Sequence, residues 1–392
     1  MTDMAIVYER SETDEMGIRL TAEQMGIDLE FLPFHKVAVG IGNEGFTYRS
    51  LGRDYGTVLN DARVILNRTQ SKSRRVFASA IFEALGKQVL NSLSVELSCQ
   101  SKMRTLLAFF ENDVKIPKTV YIPCNVLEAK INGGELDNSD VISKLISQQL
   151  GSENVVLKPD AGTHGRDVRL VGGQEALREI LGEVSPSIIN PSGVLAQEFV
   201  PKWFYDLRIV IEKKKGGPGF CHRTALARGG FKDFRTNTFL GNMVFRVKLP
   251  AAVRTDAVRC GEALGSGSEA WVLALDAMPY IGVDRVAEED EVRSYFSALE
   301  VPFDEVRKVK RDSLKNRDFP AYTKKIEEAY HKYMSTEAYA NLQSIIEESL
   351  KGKQSSILFH ESNACPEFWE QTRIVAGINV AECLLRCGES LL

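Results

Sequence analysis

The sequence lacks any long apolar run: no stretch approaches the roughly 20 residues of a bilayer-spanning helix, and the apolar opening at residues 4–8 is far shorter than the core and flanks of a secretory signal. A soluble, cytoplasmic protein that engages no membrane is expected. A dominant charge is missing too. The 49 Lys plus Arg face 53 Asp plus Glu, and a net charge of -4 excludes any global attraction to nucleic acid. Basic sites must be local. Cysteine is sparse: seven, at 99, 124, 221, 260, 365, 383 and 387, without the paired spacing of a zinc site or a secreted disulfide framework, so reduced thiols are expected. Internal repeats and low-complexity tracts are likewise missing.

What is present is an ordinary globular balance, 44% hydrophobic and 26% charged over 392 residues, enough for two or three domains. Residues 4–8 read as a buried strand, 15–25 as a helix, 28–34 and 64–67 as further strands. A helix follows over 74–85, with Val76, Phe77, Ala80, Ile81 and Ala84 marking its buried face, and then a strand at 88–91. This is a doubly wound N-terminal α/β domain, 1–94. A central lobe, 95–197, carries helices at 102–111 and 140–150 and a strand at 154–158. A C-terminal lobe, 198–392, is strand-rich, with a hairpin whose turn is Lys213–Gly219. Within it, roughly 287–354 is strongly charged and ends in two amphipathic helices, 321–334 and 337–350, which look inserted.

The most informative run is the strand ending in Lys158, followed by Pro159-Asp160-Ala161-Gly162-Thr163-His164-Gly165. Gly162 and Gly165 let backbone amides approach a phosphate whose charge the lysine neutralises. Taken alone, a structural hairpin is the better reading of such a run. Gln197-Glu198-Phe199-Val200 then places hydrogen-bonding edges beside apolar side chains, as an adenine requires. In Asp206-Leu207-Arg208, alternation puts the carboxylate and the guanidinium on one face of a strand. Arg228 and Phe234-Arg235-Thr236-Asn237 form a donor-rich stretch suited to phosphate or carboxylate. Asp284, Glu361 and Asn363 offer hard oxygens of the kind that hold magnesium against phosphates.

The order of these pieces resembles the ATP-grasp superfamily and, within it, the RimK-like ligases. The resemblance covers most of the chain from about Asn67 and is closest at Glu361-Ser362-Asn363-Ala364-Cys365-Pro366. It implies an α/β ATP-grasp fold, from which the charged, largely helical insertion between Asp284 and Glu361 departs, since many relatives have only a tight hairpin there. It also implies an ATP-dependent carboxylate–amine ligase that works through an acyl phosphate on small amino-acid or peptide substrates, and a homodimer. Lys102 and Lys158 would meet the phosphates, and Glu198 to Val200 the adenine. Asp206 would meet the ribose or organise the site. Asp284, Glu361 and Asn363 would bind two Mg2+ ions, with Mn2+ as an alternative. Arg228 and Asn237 would meet the transferring phosphoryl group, and Arg208 the substrate. Asp284 is preferred to Asp276 because Gly282-Val283 precedes it as in the family. Asp167 replaces a glycine often found in the phosphate loop.

Two other functions share such a nucleotide site: a small-molecule phosphotransferase, and a protein that binds nucleotide without turnover. Gly40-Ile41-Gly42-Asn43-Glu44-Gly45 matches a dinucleotide fingerprint, but no convincing helix follows, so a β-turn is expected. Arg68, Arg74 and Arg75 could steer an anionic acceptor. Arg307, Lys308, Lys310, Arg311, Lys315 and Arg317 read as a solvated face before a substrate surface.

Overall fold

The buried strand that opens the chain, Met4–Tyr8, pairs in parallel with Leu29–Pro33 on one side and Val64–Arg68 on the other, and Gln88–Leu90 extends the sheet. The structure is a computed structural model. It describes every residue except 1, 2, 11, 44, 130–134, 163, 164, 185, 187–191, 237, 314–317 and 352–355. Both faces of this sheet are covered, as its continuous apolar strands require. Helix Lys72–Ala84 packs on one face through Ala78 and Phe82. Helix Val380–Leu391 returns from far along the sequence to cover the other, beside Thr13–Met25.

Helix Lys72–Ala84 is turned from its expected orientation. Phe77 lies outward at 66% exposure, while Arg75, Ala78, Ser79 and Phe82 are buried. Polar groups can occupy that face because each is satisfied: Asn67 Nδ2 donates to Ser79 Oγ (2.9 Å), and Arg75 Nε donates to Glu96 (2.6 Å). The glycine-rich segment is a hairpin between Ala38–Gly42 and Gly45–Ser50, not a nucleotide turn.

The central lobe is a four-stranded antiparallel sheet in the order Arg169–Gly172, Asn154–Pro159, Val194–Glu198 and Thr119–Ile122. Val155, Leu157 and Ala196 alternate onto the face covered by Ser139–Leu150 and Gln174–Val184, so Val156, Lys158 and Gln197 turn the other way. The C-terminal lobe orders Met243–Lys248, Thr224–Gly229, Tyr205–Lys213, Trp271–Pro279 and Ile357–Asn363, with Phe220–Cys221 paired to the middle strand. Helix Ala251–Leu264 seals its back. There the Trp271 ring lies so close to Gly261 that an added Cβ would come within 2.3 Å of it.

The insertion holds a third helix. Glu289–Ser313 precedes Phe319–Met334 and Glu337–Ser349, and its Val292, Phe296, Leu299, Phe303 and Val306 repeat at alternating steps of four and three to form one buried seam. Its dense charge and Pro302 mask that seam in the sequence. The inserted helices shield the sheet's edge strand, Met243–Lys248. The Tyr333 hydroxyl donates to the Val244 carbonyl (3.0 Å), and the Tyr339 hydroxyl accepts from the Arg246 amide (2.8 Å), satisfying groups an edge would leave open.

Candidate active site

The polar face of the C-terminal sheet carries a row of charges set by strand register. Asp206 stands opposite Arg228, Arg208 opposite Asp276, and Asp276 opposite Glu361. Leu207, Ile209 and Leu275 alternate to the other face and hold the row rigid from beneath. Arg228 grips Asp206 with two bonds of 2.8 Å and lies 3.1 Å from Asp276. Arg208 in turn grips Asp276 with two bonds of 3.0 Å. Burial works against ionisation of Asp276, but Arg208 and Arg228 outweigh it and hold the carboxyl well below the usual range.

A register shift after Asp276 bulges the neighbouring strand at His360. Beyond it Glu361 and Asn363 share one face, while Ser362 turns back to Thr105 (3.0 Å). Asn363 is fixed through its Oδ1, which accepts from the Cys365 amide (3.0 Å). His360 lines the same cleft with no hydrogen-bond partner on either ring nitrogen, and burial together with nearby Lys158 draws its pKa down to about 4.

The central lobe faces this row with cations. Lys158 Nζ donates to Gln197 Oε1 (2.7 Å), and Gln197 Nε2 is anchored on Thr119 (2.8 Å). Burial lowers the Lys158 pKa to about 8. Lys102 reaches from helix Lys102–Glu111 into the glycine loop, donating to the carbonyls of Pro159 (3.2 Å) and Gly162 (2.8 Å). Its Nζ lies 3.7 Å from Glu361 Oε1, the same distance as Lys72 Nζ. Burial alone would raise the Glu361 carboxyl, but Lys102 and Lys72 hold it down to about 2.

Gly162 is required where it stands, because a Cβ there would meet the Pro159 ring at 2.7 Å. Gly165 and Asp167 both take left-handed backbone, with φ of 68° and 57°. The aspartate therefore keeps the loop conformation that a glycine would adopt, as Asp tolerates better than most residues. Arg235 ties the loop to the opposite lobe by donating to Gly165 O (3.0 Å).

These groups surround a cleft of about 1330 Å³, more than a single small-molecule site of roughly 300–1,000 Å³ needs. Phe199, Val200 and Met278 give it an apolar end, and Glu198 is fixed beside them by accepting from the Lys118 amide (2.8 Å). Phe303, Arg307, Lys310 and Arg311 from the insertion form another wall, so this surface is not simply solvated. Arg68, Arg74 and Arg75 add little net charge. Each meets an acid: Arg68 with Asp14 (3.2 Å), Arg74 with Glu9, and Arg75 with Glu96.

Of the residues singled out in the sequence, the cleft gathers Lys102, Lys158, Gly162, Gly165, Gln197 to Val200, Asp206, Arg208, Arg228, Glu361 and Asn363. Thr163, His164, Asn237, Lys315 and Arg317 lie outside the described residues. Asp284 is not brought in: it sits on the exposed loop after strand Trp271–Pro279, and Asp276 holds the position beside Glu361. The signal for Asp276 was one carboxylate inside an otherwise apolar strand, which only a charged partner could stabilise. Lys202 was also missed. It is buried, donates to Thr236 Oγ1 (2.6 Å), and has its pKa drawn down by burial to about 8. Lys72 carries no local signal, since it enters from the N-terminal domain.

The oxygens of Asp276, Glu361 and Asn363, with both acids ionised, suit a hard divalent cation. Among solved structures, the D-cycloserine synthetase DcsG superposes with a TM-score of 0.56 at 11% identity, covering 99% of this chain and 99% of that one. The ATP-grasp ligase PsnB, in a complex with a phosphomimetic variant of its minimal precursor, Mg and ADP, gives 0.52 at 12% identity over 100% and 98%.

The chain has the ATP-grasp fold. In sequence, this ATP-grasp chain is 26% identical over 263 residues to the α-aminoadipate–LysW ligase LysX of Sulfurisphaera tokodaii, covering 67% of this chain and 81% of that protein. The LysX of Sulfolobus acidocaldarius is 26% identical over 217 residues, or 55% and 70%. No family model matches. With the ATP-grasp fold, these relatives place the chain among ATP-dependent ligases that form carbon–nitrogen bonds. No helix among the described residues is long and apolar enough to cross a membrane.

Proposed function

We propose that this ligase activates the carboxylate of an acidic amino-acid-like substrate and passes it to the amine of an amino acid or peptide. The observation that carries this reading is the row Arg228–Asp206–Arg208–Asp276–Glu361 on one lobe, facing Lys102 and Lys158 on the other. In this reading Phe199 and Val200 pack the adenine, Glu198 is at its edge and Asp206 lies toward the ribose. Lys102, Lys158 and the Gly162–Gly165 loop take the phosphates. Asp276, Glu361 and Asn363 would hold Mg2+, which neutralises phosphate charge during transfer.

A carboxylate is a poor acceptor of a nucleophile because oxide is a poor leaving group. Attack of its oxygen on the γ-phosphorus breaks the bond to ADP and gives an acyl phosphate. Little covalent work falls to the protein, whose tasks are alignment and charge neutralisation. Arg228, locked by Asp206, would meet the charge that grows on the transferring group, and Arg208, held by Asp276 through two of its nitrogens, would take the acid with the third. The amine then attacks the acyl carbon, the amide forms, and phosphate departs with its oxygen. The Gly165–Arg235 contact in the cleft wall would help to exclude competing water.

Arg166 and Arg311 on the walls, beside Arg307 and Lys310 that are already paired with Asp304 (2.8 Å) and Glu370 (2.8 Å), favour an acid bearing a second negative charge, in keeping with relatives named for α-aminoadipate. The test is an ADP-release screen of acidic amino acids paired with amines and short peptides, with product masses read directly. Amide products with one phosphate released per turnover are expected. A phosphorylated product without an amide would replace the ligase by a phosphotransferase.

A further inference from the structure

Away from the cleft, strand Tyr205–Lys213 continues past Arg208 to Glu212, about 13 Å further along at roughly 3.3 Å per residue. There the side chain meets His222, just after Phe220–Cys221, and helix Val380–Leu391 lays Cys383 and Cys387, one turn apart, over the pair. The carboxylate, imidazole and Cys383 thiol place one ligand atom each within 4.8 Å of one another. None of these four residues belongs to the proposed ligase chemistry.

We propose that Glu212, His222 and Cys383, completed by Cys387, bind a single zinc ion that fastens the last helix to the C-terminal sheet. With zinc bonds of about 2.3 Å to sulfur and about 2.0–2.2 Å to nitrogen or oxygen, the edges of a tetrahedron are about 3.3–3.8 Å. Three contacts already have that length: Cys383 Sγ to His222 Nε2 is 3.5 Å, His222 Nε2 to Glu212 Oε1 is 3.7 Å, and Cys387 Sγ to the other carboxylate oxygen, Glu212 Oε2, is 3.6 Å. Glu212, His222 and Cys383 form the close group, and Cys387, outside it, joins by turning its side chain inward. Edge-to-face contact with Phe220 (5.1 Å between centroids) orients the imidazole. Two sulfurs, one nitrogen and one carboxylate oxygen form a closed set, which suits a structural ion and leaves no position for a reacting water.

Both cysteines are buried, while Glu212 and His222 retain 13% and 21% side-chain exposure, which gives a metal an entry path. Binding exchanges two thiol protons for the ion. Linear spacing hides the site because its ligands come from three separate elements.

Titration of the purified, metal-free chain with cobalt(II) is the direct test. A thiolate-to-cobalt charge-transfer absorption at one equivalent is expected, abolished by added zinc. It should be lost in Cys383→Ala and persist in Cys365→Ala, since Cys365 lies beside the oxygen cluster of the cleft. Should Cys383→Ala fail to fold, zinc protection of Cys383 and Cys387 from a thiol-alkylating reagent, mapped by peptide mass in the unaltered protein, decides instead. Absence of the absorption in the unaltered protein, its survival in Cys383→Ala, or alkylation indifferent to zinc overturns the proposal.

Discussion

Asp276 answers to three neighbours at once: two nitrogens of Arg208, one of Arg228, and Glu361, its partner on the adjoining strand. Asp276→Asn keeps the shape and removes the charge, so turnover should fall on the order of 10²–10³-fold, the scale on which a positioned electrostatic group acts. Asp284→Asn, on the exposed loop, should leave turnover within a few-fold. Steady-state ADP release on both variants decides the assignment, and a reversed ranking would restore Asp284. Lys158 makes a pH prediction. Its ammonium, with a pKa near 8, is mostly charged at pH 7 and mostly neutral at pH 9. Nucleotide affinity, measured by calorimetry, should therefore weaken as pH rises through 8, and Lys158→Arg, charged throughout, should flatten the profile. An unchanged affinity in the unaltered protein would remove Lys158 from the phosphates.

Strands and helices were legible where one periodicity ruled. The strands at 4–8 and 154–158 announced themselves as apolar runs. Helix Lys72–Ala84 was read with the wrong face inward, because Arg75 and Ser79 are buried by specific partners that composition does not display. Glu289–Ser313 was not read as a helix at all, its seam lying under dense charge. At this scale the sealing contacts are open to test. Gly261→Ala pushes a methyl into the Trp271 ring and should cost about 1–3 kcal/mol, read as a lowered urea midpoint at unchanged slope. Tyr339→Phe leaves the Arg246 amide without its partner on the sheet edge and should cost about 1–3 kcal/mol. The same measurement would refute either if the midpoint stayed put.

Across the whole molecule, the candidate site motifs were legible as an ordered series, and the cleft assembles most of them. What remained hidden were contributions that depend on how separate parts meet. Lys72 arrives from the N-terminal domain, Arg307 and Lys310, read first as a solvated face, line the cleft from the insertion, and Asp276 was distinguished from Asp284 only by register. Glu361 is therefore answerable to two parts of the chain: its partners Lys102 and Lys72 stand 30 residues apart on different helices. The first sheet depends on distance of another kind. One of its faces is covered by helix Val380–Leu391, whose Gly388 sits against Met4 and Leu66. During vectorial synthesis that face emerges long before its cover exists, so nascent chains halted short of residue 380 should present it to chaperones and proteases, and the ligase should mature in one late step.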